Sequence, residues 1–151
     1  MRRRIWLVLA LCSLVLAAGC GGGKAPELRG SIKVDPNANP DLRGRPSPVV
    51  VRIYELKALA AFNGADFFSL FEKEGEALGG DLVAREEYQL RPAETRDYKR
   101  QLQPETKFIG VIAAFRDLEN ARWRQSAPVP TKRSPTVTIA IETKTVTVAV
   151  K

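Results

Sequence analysis

Val137-Thr138-Ile139-Ala140-Ile141-Glu142-Thr143-Lys144-Thr145-Val146-Thr147-Val148-Ala149-Val150 is the stretch that decides the fold. Apolar residues alternate with polar or small ones, the period-2 pattern of strands with one buried face. The phase changes part-way. Val137, Ile139 and Ile141 sit at odd positions, whereas Val146, Val148 and Val150 sit at even ones. A single strand that changed phase would turn its apolar face to water. Pairing Ile141 with Val146 returns these side chains to one face and places a chain reversal within Glu142–Thr145. The C-terminus is therefore a β-hairpin, even without an Asn-Gly turn signal.

The same reasoning extends towards the N-terminus. Phe108 to Phe115 is a continuous apolar run between Lys107 and Arg116. Its length suits a strand covered on both sides, although periodicity alone leaves a buried helix open. A turn over Asp117–Asn120 leads to a short partner strand at Ala121–Gln125. Leu82–Leu90 and Thr95–Leu102 read as strands joined by the turn Arg91-Pro92-Ala93-Glu94. Val49–Leu56, β-branched and aromatic, is a strand with both faces partly covered. Leu28 to Asp35 alternates cleanly, with Leu28, Gly30, Ile32 and Val34 on one face, so it is a half-buried strand.

Two segments break this pattern. From Lys57 to Gly80 the sequence turns helical: Leu59 to Phe62 form a short turn ending at Asn63-Gly64. Asp66 then caps a helix in which Phe67, Leu70 and Phe71 share a face. Gly75, Gly79 and Gly80 loosen the remainder. Asp35 to Pro48 carries Pro36, Pro40, Pro46 and Pro48 and has no periodicity, so it is a loop. The fold class expected is all-β, a two-sheet β-sandwich of about eight strands with a small helical insertion at about residues 57–80.

The first residues have another purpose. Arg2, Arg3 and Arg4 precede an apolar run from Ile5 to Ala18, too short for a bilayer span of about 20 residues but suited to a secretory signal. Small residues Ala17-Ala18-Gly19 follow, and then Cys20. This arrangement resembles the bacterial lipobox, in which the cysteine is acylated and becomes the mature N-terminus. Ala17 stands where the lipobox usually has Leu, with Leu16 one step earlier. The alternative is an ordinary signal peptide that contains a cysteine. Cysteine arithmetic favours the lipid: Cys12 leaves with the signal, and Cys20 would otherwise be an unpaired thiol in an oxidising compartment. The expected organisation is a signal peptide over 1–19, a lipidated flexible tether over 20–27 and a sandwich domain over 28–151. Gly21 to Gly23 make the tether a flexible coil.

Composition excludes several classes of function. The whole chain carries 24 basic and 17 acidic residues, net +7; losing the three N-terminal arginines lowers this to +4. The result is a mixed surface. Nucleic-acid binding needs a clustered basic stripe with interleaved aromatics. Arg122-Trp123-Arg124 and Lys132-Arg133 are too thin for that and read as solvated strand ends. There is no histidine, so neither a Ser-His-Asp triad nor an imidazole metal site is available. No phosphate-cradling glycine motif occurs. Glu72, Glu74 and Glu76, or Glu86 and Glu87, are carboxylate groupings of a kind glycosidases use, but such clusters are usually solvated faces. No catalytic residue, metal ligand or cofactor site is assigned, and the protein is not expected to be an enzyme.

From Asn39 to Arg124 the chain resembles the TssJ family, the outer-membrane lipoproteins of bacterial type VI secretion. The likeness rests on Asn39-Pro40-Asp41, Gly44-Arg45-Pro46 and Pro48 leading into Val49–Leu56. It continues through Phe62, Ala65-Asp66-Phe67 and Leu70-Phe71, then Gly110 to Asp117, then Trp123-Arg124. The resemblance implies a transthyretin-like sandwich with extra helices. It implies a scaffold on the periplasmic side of the outer membrane that binds the periplasmic domain of TssM, within a complex that also holds TssL. Gly21 agrees with outer-membrane sorting, since Asp in that place retains lipoproteins at the inner membrane of enteric-type bacteria. A different reading is a stand-alone periplasmic ligand-binding lipoprotein, which would need aromatic platforms; after the signal only Trp123 remains as a tryptophan.

In the family the TssM contact is attributed to the loop between the first two strands, here Asp35 to Pro48. Within it the candidate partner-binding residues are Asp35, Asn37, Asn39, Pro40, Asp41, Leu42, Arg43, Gly44, Arg45 and Pro46. The residues themselves support this. The loop is longer than an ordinary hairpin connection of about 2–5 residues, and its prolines lower the entropy lost when a partner orders it. Arg43 and Arg45 flank Gly44 and are placed for charge-assisted hydrogen bonds to acidic groups of TssM.

Overall fold

A computed structural model describes residues 26–131 and 134–151. The expected signal peptide, Cys20, the glycines of the tether and the Lys132-Arg133 pair lie outside the described residues. Eight strands form two four-stranded sheets. They are β1 (Glu27–Val34), β2 (Val49–Leu56), β3 (Leu82–Leu90), β4 (Thr95–Gln101), β5 (Phe108–Ala113), β6 (Arg124–Pro128), β7 (Thr136–Ile141) and β8 (Val146–Val150). One sheet has the order β4-β1-β7-β8, the other β3-β2-β5-β6. All neighbours are antiparallel except β1 and β7.

The hairpin register is the one the phase change required. Ile141 pairs with Val146, Ile139 with Val148 and Val137 with Val150, and the Glu142 amide donates to the Thr145 carbonyl at 2.8 Å across the reversal. Inward residues of both sheets make one core: Leu28 and Ile32 from β1, Val51 and Ile53 from β2, Ile109 and Val111 from β5, Ile139 and Ile141 from β7. Gly30 lies opposite Val137 in the parallel pair. A Cβ there would stand 1.7 Å from the Val137 carbonyl oxygen, so only glycine lets these two central strands close.

Phe108–Ala113 is a strand covered on both sides. Alternate residues face the sandwich core, while Ile112 and the partly buried Phe108 face a second cluster with Tyr54, Leu56, Phe62, Phe67, Leu70 and Leu78. That cluster lies under the helical insertion of α1 (Ala60–Gly64), α2 (Phe67–Glu72), α3 (Glu74–Leu78) and a 3₁₀ turn (Gly79–Asp81). Asp66 caps α2 by accepting from the Ser69 amide at 2.9 Å. Gly75, read as a loosening residue, sits inside α3.

Helices this short do not hold themselves; the sheet beneath supplies donors for their last carbonyls. Arg124 Nη1 donates to Phe62 O at 2.6 Å and Ala65 O at 2.7 Å. Tyr54 Oη donates to Leu70 O at 2.9 Å, and Arg52 to Phe71 O. Arg124 is therefore not a solvated strand end, as the sequence suggested, but a half-buried strut whose guanidinium also stacks 4.7 Å from the Trp123 ring.

The strand expected at Ala121–Gln125 lies further along, at Arg124–Pro128. The reason is a competing partner. Arg122 bridges to Thr145, in the turn that leads into β8 of the other sheet: its amide donates to Lys144 O and its carbonyl accepts from Val146 N–H, at 2.8 and 2.9 Å. The ladder with β5 begins only where that link ends. Of the carboxylates read as solvated faces, Glu72 and Glu76 are exposed, but the other three are engaged. Glu74 and Glu87 pair with Arg52 and Arg85, and Glu86 accepts from Tyr98 and Arg100.

At the end of the sandwich where β1 begins, Glu55 is 3% exposed. Its carboxylate accepts from Arg100 Nε, the Gln103 amide and Thr106 Oγ1 at 2.9, 2.9 and 2.6 Å, so a buried charge is fully satisfied. An acid on the inward face of an apolar strand gave no sign of this role in the sequence, because all its partners are distant in the chain.

Candidate functional site

The loop Asp35–Pro48 leaves β1 and enters β2 at the end of the sandwich opposite to Glu27. Backbone bonds fix both of its roots. The Asp35 amide donates to Ile141 O at 2.8 Å, Asn37 N–H to Asp35 Oδ1 at 2.7 Å, and Ser47 N–H to Ala38 O at 3.1 Å. Ala38, Asn39 and Ser47 are buried.

Asn39 is the anchor. It is 3% exposed and holds φ 50°, a left-handed conformation that asparagine tolerates better than most residues. Its amide donates to Thr143 O at 2.9 Å, its Nδ2 to Pro48 O at 2.7 Å, and its Oδ1 accepts from the Arg116 amide at 2.8 Å. One side chain thus ties the loop to its own exit and to the β5–β6 connection, while its backbone ties it to the β7–β8 turn.

Asp41 organises the tip. Its Oδ1 accepts from the Arg43 and Arg45 amides at 2.8 and 2.9 Å, and its Oδ2 from Arg45 Nε at 2.8 Å. The Asp41 amide donates to Arg45 O, and Gly44, at φ 77°, donates to Asp41 O, each at 2.9 Å. Hydrogen bonds from the Arg45 side chain, and then from its amide, hold the Asp41 carboxyl down at about 2, against an ordinary 3.8. The tip so formed carries Leu42 fully exposed, with Arg43, Gly44, Arg45 and Pro46 also exposed.

The structure thus divides the expected site residues. Asp35, Asn37, Asn39 and Asp41 build the loop, Pro40 is partly covered, and Leu42 and Arg43 are its outward groups. Arg45, expected to be available to a partner, spends Nε and Nη2 on Asp41 while its side chain stays exposed. Three residues absent from that expectation line the same depression: Arg116, Asp117 and Lys144. Lys144 Nζ donates to Asp117 Oδ2 at 2.6 Å and lowers the Asp117 pKa, with a smaller contribution from Asn120. In the sequence, Arg116 and Asp117 close the family-like stretch Gly110–Asp117, and Lys144 showed only as charge in a turn; nothing local brought the three together with the loop.

Trp123 packs edge-on against Phe67, ring centroids 5.3 Å apart, and contacts both apolar clusters. It is part of the framework rather than a displayed platform. Among the described residues no group of three or more metal-ligating side chains converges, and no helix is long and apolar enough to cross a membrane.

The model of the type VI secretion lipoproteins (VasD, EvfM, TssJ, VC_A0113) matches residues 26–145. The chain belongs to the TssJ family. Among solved structures it is similar to the type VI lipoprotein TssJ1 of Pseudomonas aeruginosa, with 36% identity and a TM-score of 0.80 over 84% of this chain and 97% of that one. A chain from a structure described as a type VI membrane complex is 29% identical, with TM-score 0.74, covering 83% and 98%. Another, from a structure described as the TssM C-terminal domain from EAEC, is 29% identical, with TM-score 0.67, covering 82% and 97%. Curated proteins provide no match. TssJ proteins are structural lipoproteins of the secretion machine, not a family of enzymes, and the all-β sandwich is the family's fold.

Proposed function

We propose that this TssJ protein is a lipid-anchored scaffold of the type VI secretion envelope complex. Acyl chains on Cys20 would hold it to the periplasmic face of the outer membrane. The loop Asp35–Pro48 would bind the periplasmic domain of TssM, and through TssM the protein would be linked to TssL. The observation that carries this reading is the loop's construction: Asn39 and Asp41 spend their hydrogen bonds on presenting Leu42 and Arg43 outward at the end away from Glu27. A mere connection between two strands has no need of a braced, exposed apolar tip. Similarity to chains in structures described by a membrane complex and by TssM supports the choice of partner.

The test replaces residues 41–45 with glycine and serine and leaves Asn39 in place. Full-length protein should keep its thermal transition within a few degrees, because the lost bonds are exposed ones. Its affinity for TssM should fall at least about tenfold, or 1.4 kcal/mol. Undiminished binding by this variant would move the interface to another part of the sandwich.

A further inference from the structure

The end of the sandwich that carries the loop is built from three connections far apart in sequence. They are 35–48, the β5–β6 connection 114–123 and the β7–β8 turn 142–145. Asn39 joins all three through Thr143 O and the Arg116 amide, so they form one surface and not a loop standing free. The depression between them is lined by Leu42, Arg43 and Arg45 from the first, Arg116 and Asp117 from the second, and Lys144 from the third.

Its charges do not balance. Asp41 neutralises Arg45, and Asp117 neutralises Lys144. Arg43 and Arg116 are left: among the described residues no side-chain hydrogen bond or ion pair engages either guanidinium. Two unspent arginines therefore share a depression with the fully exposed Leu42. Guanidinium groups without an acidic partner leave positive charge uncompensated, which suits this face to carboxylates of a partner. Leu42 rides on a tip already fixed by Asp41, so little freedom remains to be lost on docking.

We propose, resting on the TssM reading above, that TssM is engaged by all three connections together. In this arrangement Leu42 enters an apolar socket of TssM whose rim carries carboxylates opposite Arg43 and Arg116. Arg116 is then a specificity-determining residue that lies outside the β1–β2 loop. Oppositely charged rims steer association and make it salt-dependent.

The test measures binding of the full-length lipoprotein to full-length TssM in matched detergent, at low and high salt. The variants are Leu42→Ala, Arg43→Glu, Arg116→Glu and the conservative Arg43→Lys and Arg116→Lys, each with its thermal transition recorded. Leu42→Ala and both Glu variants should lose about tenfold or more in affinity. The Glu variants should act mainly on the association rate and flatten the salt dependence, and the Lys variants should stay within about threefold of wild type. Wild-type affinity in Arg116→Glu, with Leu42→Ala weakened, would overturn the composite surface and leave the TssM reading standing. Equal loss in Arg116→Lys and Arg116→Glu would overturn recognition by charge. Failure of the wild-type protein to bind TssM at all would remove the reading on which the proposal rests.

Discussion

Asp41 shows how much a single carboxylate can organise at the surface. Two amides and a guanidinium converge on it, and each bond favours the ionised form. Its folded pKa is therefore depressed, to about 2 from 3.8. A group depressed in this way stabilises the fold above its unfolded pKa, and that contribution is lost as pH falls through the folded value. The loop tip should keep its conformation at pH 5 and lose it between about pH 4 and 2. Following the Asp41 carboxyl carbon by NMR should give a midpoint near 2, and Arg45→Ala should move the midpoint up towards 3.8. An unchanged midpoint in that variant would mean the amides alone set the value. Little of this was legible beforehand. Asp41 and Arg45 were both candidates for a partner, but a residue type does not reveal whether its hydrogen bonds are spent inside the loop or kept for outside.

At the scale of elements, legibility followed the distance over which the deciding interaction acts. The C-terminal hairpin is local, so the phase of six apolar residues fixed its register, Ile141 on Val146. The N-cap at Asp66 is local too, and Ser69 answers it three residues on. The start of β6 differs from the expected one because it is decided by a bridge from Arg122 to Thr145, in the turn that leads into β8 of the other sheet. Arg124 was misread for the same reason: its partners, Phe62 O and Ala65 O, lie about sixty residues away. Its real task yields an expected outcome for the insertion as an element. In Arg124→Ala two carbonyls at the end of α1 lose a charged donor, worth about 1.5–3 kcal/mol. Amide exchange across 60–78 should accelerate by about tenfold or more, while β1, β2 and β7 stay protected. Uniform acceleration over both sheets would mean that the insertion and the sandwich open as one unit.

For the whole molecule the decisive fact is polarity. β1 begins at Glu27, and the loop begins where β1 ends, so the start of β1 and the candidate site lie at opposite ends of the sandwich. A covalent limit of about 3.3–3.6 Å per residue allows the segment from Cys20 to Glu27 to span at most about 25 Å, and an eight-residue strand adds about 26 Å. With the proposed acyl anchor on Cys20, the root of the loop at Asp35 would stand within about 50 Å of the lipid surface. The two functions should then separate cleanly. Cys20→Ser should move the protein from the membrane fraction to the soluble one, leave its thermal transition in place and keep its TssM affinity within about twofold, as distant sites sharing no contacts usually add independently. Leu42→Ala should do the converse, staying with the membrane while TssM dissociates. The proposed scaffold role requires one molecule to join the two ends, so secretion should fail in both variants. Fractionation, calorimetry and a secretion assay on the same two variants decide it: a Cys20→Ser protein that still sediments with outer membranes would remove the lipid from the account, and one that secretes normally would remove the need for the link.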